Sequence, residues 1–430
     1  MSRGQPRGAR LAAYVATAGP LILLGAVPAI WFAGLPGGFA LLLLPMTLVV
    51  RRLLRLPVGL RGTDGLLLAC ALWIAVTALA VRDWNTAAPK LFGALLGLSL
   101  VYVIGSDPIT AARLRIQWLG LAIGITALVI FAALFLTEWP QRKLLPLDGI
   151  YAALPAGPRV VDHGGRIGGI GPNQIGGALA LLAPLGLALS LDETGSSRNV
   201  RRLATVIVAL AIAVLLLTQS RSAYVGALLG LTLVGGWRIG RSAWLRRRPI
   251  GRTVLHVALG LGLALLMAAV ASTWLVPLHS TTDTLTGRLR IWTASVLMIG
   301  EYLYTGVGPG QFPLVLKAAF PEVGASVAPH IPHAHNFVLQ ALLDLGLPGS
   351  LLLGLLLALV VRGLILTARD SRDRSLQMLA VGLAGSLLAY VVYGLTDTIA
   401  PGARGGLPFW LVLGLGLACG RLPREAKVTE

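Results

Sequence analysis

The chain is 430 residues long, 56% apolar and only 12% charged, where an ordinary soluble domain is roughly a quarter charged. That excludes a soluble globular enzyme: a bilayer core about 30 Å thick takes roughly 20 apolar residues per helix, and this chain holds enough for about twelve. The net charge of +19 does not mark a nucleic-acid binder, which would gather its cations on one soluble face with aromatic partners; here they lie between long apolar runs.

In chain order, apolar segments fall at about 11–33, 36–54, 64–81, 87–105, 114–137 and 171–191, then at about 203–219, 222–237, 253–277, 346–366, 376–396 and 407–420. They are rich in Leu, Ala, Val and Gly without strict alternation, so they read as helices, not barrel strands. Prolines such as Pro20, Pro28 and Pro184 are tolerated where neighbouring helices satisfy the freed carbonyls. The first apolar run is long and lacks a small-residue cleavage site, so it reads as a retained span. Cys70 and Cys419 both fall within spans and read as small packing residues. No short repeat and no similarity between halves is evident, unlike the duplicated plan of many transporters.

Orientation follows from the arginines. With the N-terminus inside, 25 of the 36 cations fall on the cytoplasmic face, in clusters such as Arg51, Arg52, Arg55 and Arg246, Arg247, Arg248, and 11 remain outside. The expected fold is thus an all-α integral membrane protein of about twelve helices, both termini cytoplasmic. It divides into helices 1–9 over residues 1–277, a large outer loop over 278–345, and helices 10–12 with a tail over 346–430.

Two connections are long, about 138–170 and 278–345, and both lie outside. Long loops in compact proteins usually carry function, and the spans hold almost no charge to form an ion path. In the second loop, Leu285, Leu289, Trp292, Val296 and Ile299 recur at helical spacing, as in a helix at the interface. GVGPGQF (306–312) reads as a tight loop; a nucleotide site would need a full GxGxxG, a preceding strand or a P-loop lysine. The loop closes on His330, His333, His335 and Asn336. Without an HExxH pattern or an outer cysteine, no metal is expected there. His330 and His333 read as interfacial loop histidines, whereas His335 leads into the next span and is held at fixed depth.

Arginines on the same face complete the candidate set. Arg221 lies in TQSRS (218–222) beside Gln219, Arg288 and Arg290 lie on the interfacial helix, and Arg166 precedes GGIGPNQ (168–174). Pro172 there starts a helix whose free N–H groups favour an anion. Arginine suits bidentate phosphate recognition, and a neutral histidine can take a proton from a sugar hydroxyl. The guest that fits is a lipid with its phosphate at headgroup depth and its tail among the helices.

LLTQSRSAYVGALLG (216–230), GRLRIW (287–292), GVGPGQF (306–312) and HNFVLQALLDLGLPG (335–349) together resemble the O-antigen ligase family. The last piece fits the family's spacing of His335, Asn336, Gly346 and Gly349. The likeness covers about 166–350; elsewhere only the span count agrees. It implies a GT-C type helical architecture in the bacterial inner membrane. It further implies transfer of a polysaccharide from undecaprenyl diphosphate to lipid A–core at the periplasmic face, with inversion and without ATP, metal or other cofactor. Its phosphate-holding arginines fall on Arg221 and Arg288, its essential histidine on His335. Arg166, Arg290, Asn336 and Gln219 are expected to bind substrate. Near His335 the only carboxylate in evidence is Asp344. The rival readings are a polymerase of the same superfamily, extending O-antigen or exopolysaccharide repeats, and a transporter of lipid-linked glycan.

Overall fold

The computed structural model describes residues 62–106, 111–137, 139, 148–154, 170–241, 285–321, 331–399 and 402–422. These form helices throughout, without a strand among the described residues: α1 (Gly62–Thr77), α2 (Trp84–Ser106), α3 (Ala111–Leu119), α4 (Thr126–Leu136), α5 (Asp148–Ala153), α6 (Pro172–Ser190) and α7 (Arg198–Thr218). There follow α8 (Arg221–Gly240), α9 (Leu285–Glu301), α10 (Phe312–Ala319), α11 (Phe337–Asp370), α12 (Arg374–Gly394) and α13 (Leu407–Arg421). A π-helical stretch, Gly120–Ile125, joins α3 to α4. Among the described residues, eight helical stretches are long and apolar enough to cross a membrane, and α13 is a shorter apolar helix. These coincide with nine of the twelve expected segments. The other three, 11–33, 36–54 and 253–277, lie outside the described residues. The protein is a multi-pass membrane protein.

Helices α6 and α12 form the centre, with 78% and 72% of their spans buried, and α13 is buried along nearly its whole length. Association inside a bilayer has no hydrophobic drive, so close packing must supply it. Small residues provide this where α8 crosses α12. A Cβ on Gly226 would lie 2.4 Å from the Ala389 carbonyl oxygen, and one on Gly230 2.5 Å from that of Gly385. By contrast α7 turns Leu203, Val206, Leu210 and Leu216 outward, at the spacing of one lipid-facing helix side.

The bundle has two distinct ends. At one, arginines pair with carboxylates: Arg115 with Asp373 at 2.5 Å, Arg238 with Glu193 at 2.8 Å, and Arg421 with buried Asp64 at 3.0 Å. Asp192 there accepts from Ser375 Oγ at 2.7 Å and fastens the end of α6 to the start of α12. At the other end, α5, α9, α10 and the loop before α11 gather over the ends of α1, α2, α6, α7, α8 and α12. Tyr151 Oη donates to the Leu217 carbonyl at 2.6 Å, and Tyr393 Oη to that of Asn173 at 3.0 Å.

α11 begins at Phe337, nine residues ahead of the expected span, but breaks at Gly346, which sits at φ 64°, ψ −175°. Expected and observed starts differ because a short helix caps the span before this kink. The GVGPG turn packs backbone to backbone against it. Val307 N–H donates to the Leu343 carbonyl at 2.7 Å and Leu347 N–H to that of Leu303 at 2.8 Å. A Cβ on Gly346 would lie 2.0 Å from the Tyr304 carbonyl oxygen. Gly346→Ala should therefore lower stability by about 2 kcal/mol or more, from left-handed strain plus this clash. The melting temperature of the detergent-solubilised protein measures it; an unchanged value would show that the kink tolerates a side chain.

Candidate active site

The site is built on the hexapeptide Ile331–Asn336 where it enters α11. Asn336 is the N-cap: its Oδ1 accepts from the N–H groups of Val338 and Leu339 at 2.9 and 3.0 Å, and its Nδ2 donates to the Leu395 carbonyl at 2.9 Å. It anchors the loop to the end of α12, so the residue expected to touch substrate has its polar atoms engaged in placing its neighbour. Ala334 is held from both sides. Gln340 Oε1 accepts its N–H at 2.8 Å, and Trp292 Nε1 of α9 donates to its carbonyl at 3.1 Å. His335, clamped between these anchors, has φ 50°. A non-glycine residue there costs about 1–2 kcal/mol, and such strain is retained where the surroundings over-determine it, often at functional positions. Gln219 (φ 51°) is the other positive-φ non-glycine among the described residues.

The carboxylate facing His335 is Asp397, just beyond α12. The sequence pointed to Asp344, and the structure corrects this: Asp344 lies one turn past Gln340 and accepts from its Nε2 at 2.8 Å and from Gly310 N–H at 3.4 Å. His335 Nδ1 lies 3.2 Å from Asp397 Oδ1, with the imidazole 23% and the carboxyl 2% exposed. Asp397 Oδ1 also accepts from Thr398 N–H at 2.8 Å. Burial alone would raise the Asp397 pKa, but the His335 hydrogen bond and the charges of both imidazoles outweigh it and hold the carboxyl below its usual range. A carboxylate at Nδ1 fixes the proton there and leaves the Nε2 lone pair as acceptor. That is the arrangement of an oriented general base.

His333 packs edge-on to His335 with ring centroids 4.3 Å apart, and its Nδ1 accepts from His335 N–H at 3.3 Å. Burial, then the charge on His335, push its pKa down to about 3. An unfolded histidine near 6.5 binds a proton that the folded one refuses. Stability should therefore fall as pH drops below about 6.5 and keep falling toward about 3. Melting curves over that range should show a shallower decline for His333→Gln than for the parent; parallel declines would mean that folding does not hold His333 neutral.

Donor atoms of His333, His335 and Asp397 all lie within 4.8 Å of one another. A zinc ion needs its ligands at about 2.0–2.2 Å. The 3.2 Å between His335 Nδ1 and Asp397 Oδ1 is that of a hydrogen-bonded pair.

The arginines divide. Arg288 of α9 is half-buried, and its charge acts on His333. Arg290, two residues on, projects about 200° around the helix and is exposed. Arg221 opens α8 at this same end, half-buried, after the Ser220 N-cap. Gln219 caps α7 in the left-handed conformation and donates from Nε2 to Tyr151 Oη at 2.6 Å. Arg166 and His330 lie outside the described residues. The GVGPGQF motif serves the fold through Gln311, which is fully buried. Its side chain accepts from Arg82 and Asp83 N–H at 3.1 and 3.0 Å and donates to the Asp83 carbonyl at 3.0 Å. It thereby locks the loop onto the α1–α2 corner. Reasoning from sequence missed Asp397; its signal was an acid directly after an uncharged span, in YGLTDT (393–398).

The fold and site define a multi-pass membrane protein with a histidine–aspartate pair at one end of the bundle, the end at which Arg221 and Arg288 also lie. Residues 206–354 match the family model described as O-antigen ligase. The matched segment contains Arg221, Arg288 and His335, and over it the chain resembles O-antigen ligases. Comparison with curated proteins gives no match.

Proposed function

We propose that the protein is an O-antigen ligase, moving a polysaccharide from undecaprenyl diphosphate to a sugar hydroxyl of lipid A–core at the periplasmic face of the inner membrane. The twelve-span plan with both termini cytoplasmic, and the GT-C arrangement, belong to this reading. The observation that carries it is the buried Asp397 paired with a partly exposed His335, with Arg288 near enough for its charge to act on the neighbouring His333.

The chemistry follows from that geometry. His335 Nε2 takes the proton of the acceptor hydroxyl, whose oxygen attacks the anomeric carbon from the face opposite the diphosphate. The glycosidic C–O bond breaks with its electron pair going to the diphosphate, and the configuration inverts. Charge grows on the leaving phosphate as the bond lengthens, so fixed guanidinium groups stabilise the transition state more than the ground state. Arg288 and Arg221 supply them; Arg166 and Gln219 are the remaining substrate-side residues of the proposal, while Arg290 faces away and Asn336 positions His335. No step requires a metal or a cofactor.

Purified protein given lipid-linked polysaccharide and lipid A–core should yield capped lipid A–core, and His335→Ala should abolish the product while the protein still inserts. Elongation of short lipid-linked repeats, without transfer to lipid A–core, would make the protein a polymerase. Normal transfer by a well-folded His335→Ala variant would remove its assignment as base.

A further inference from the structure

The His335–Asp397 pair has a third neighbour that the transfer chemistry leaves idle. Donor atoms of His333, His335 and Asp397 lie within 4.8 Å of one another, and the two imidazoles meet with ring centroids 4.3 Å apart. In an extended segment, side chains two residues apart share a face but stand about 6.6 Å apart along it; here the chain turns left-handed at His335, with φ 50°, and the rings close in. The carboxylate brings a second observation. Asp397 Oδ1 faces His335 and accepts from Thr398 N–H, but Oδ2 is buried and has no hydrogen-bond partner among the described residues. A buried carboxylate oxygen without a donor is rare, and a bound cation is one way to satisfy it.

Spacing and donor type decide which cation fits. Tetrahedral ligands held about 2.0–2.1 Å from a zinc ion stand about 3.3–3.4 Å from one another. His335 Nδ1 and Asp397 Oδ1 are 3.2 Å apart, so the hydrogen-bonded pair already has the length of one edge of that tetrahedron. Closing the other edges from 4.8 Å or less takes rotation of one imidazole, that of His333. The His335 side chain is 23% exposed, which lets water complete the shell; Asp397 Oδ2 completes it instead if the carboxylate turns bidentate. Two imidazole nitrogens and one carboxylate suit zinc or copper(II), whereas magnesium and calcium take oxygen ligands.

We propose that His333, His335 and Asp397 form an inhibitory zinc site, in which the ion takes Nδ1 of His335 and shuts the transferase off. The binding stands on the geometry of the three side chains; the inhibition rests on the reading of His335 as the base. A neutral imidazole carries one proton and one free lone pair. With zinc on Nδ1 the proton moves to Nε2, and the atom that takes the acceptor's proton becomes a donor instead. Nothing is oxidised and the ring keeps its one proton. Asp397 at the same time turns its charge on the ion, leaving none to stabilise an imidazolium. Zinc thus acts on the base and not on the grip of the diphosphate, so it should lower kcat with little change in KM for the donor.

The test uses the full-length protein in detergent, without a histidine tag, and zinc alone as probe. In equilibrium dialysis His335→Gln should lose one bound zinc per chain, and His333→Gln should bind it about tenfold or more weakly, since even an outer-shell partner is worth 10–100-fold in metal affinity. In the transfer assay zinc should lower kcat, a chelator should restore it, and magnesium should leave it unchanged. His333→Gln should need about tenfold more zinc for half inhibition, judged against its own metal-free rate. Equal zinc binding by the parent and both variants would put the ion elsewhere and overturn the site while leaving His335 as base. Equal inhibition by magnesium would mean that cations act on the diphosphate, and would overturn the inhibition. Zinc held by these residues with transfer unaffected would overturn the inhibition together with His335 as base. Should the variants fail to fold, diethyl pyrocarbonate labelling of the parent, mapped by mass spectrometry, replaces them. Protection of His335 by zinc but not by magnesium supports the site, and unchanged labelling refutes it.

Discussion

Asp397→Asn should lower kcat for glycan transfer by roughly 10²–10⁴-fold, the range that a positioned acid–base group contributes, while KM for the donor stays within a few-fold. The carboxylate does two things that an amide cannot. It accepts the Nδ1 proton, keeping the Nε2 lone pair of His335 on the partly open side of the ring, and it stabilises the imidazolium that forms as the acceptor hydroxyl gives up its proton. An asparagine amide can rotate so that its NH₂ donates to Nδ1, forcing the proton onto Nε2 and closing the acceptor atom. Shape is nearly conserved, and Oδ1 can still accept from Thr398 N–H, so the melting temperature should move little. Asp397 is ionised well below neutrality because the His335 hydrogen bond and charge outweigh burial; the loss should therefore be constant across neutral pH. Half or more of the parent activity in Asp397→Asn would show that His335 needs no carboxylate to act. A large loss of stability at unchanged specific activity would assign Asp397 to the fold instead.

What could be read along the chain and what could not follows from the range of each interaction. Helical spans announce themselves because about 20 apolar residues are a local property, and nine expected segments coincide with helices. The kink at Gly346 is local too, marked by a glycine and proline in DLGLPG (344–349). Arg288 and His335 stood out because each sits beside a motif. Asp397 did not, since its partner is 62 residues earlier and nothing periodic links the end of one span to the loop before another. Asn336 carried a legible cap signal, a polar residue directly before a long apolar helix, which the spacing of the family motif drew toward a substrate role. The glycines of GVGPGQF resisted interpretation because what they make room for, the kinked backbone of α11, lies elsewhere in the chain.

The sharpest contrast within one helix is Arg288 against Arg290. Arg288→Ala should cut kcat/KM about tenfold to a hundredfold or more, since a charge-assisted hydrogen bond contributes about 1.5–3 kcal/mol and each 1.36 kcal/mol is tenfold in rate. Arg290→Ala should stay within about threefold, because two residues along a helix turn a side chain to the opposite side, and this one is exposed. Both substitutions remove one positive charge from the same turn of α9, so the general field at this end of the bundle changes alike. A difference between them therefore reports direction, not net charge. Arg288→Lys should recover only part of the loss: a point charge attracts phosphate but cannot match a guanidinium fork on two oxygens. The comparison is best made at two ionic strengths, because a half-buried contact is screened less than an exposed one. Similar losses for both alanine variants, fading together at high salt, would mean that the helix draws its substrate in by charge alone and that no single arginine grips the diphosphate.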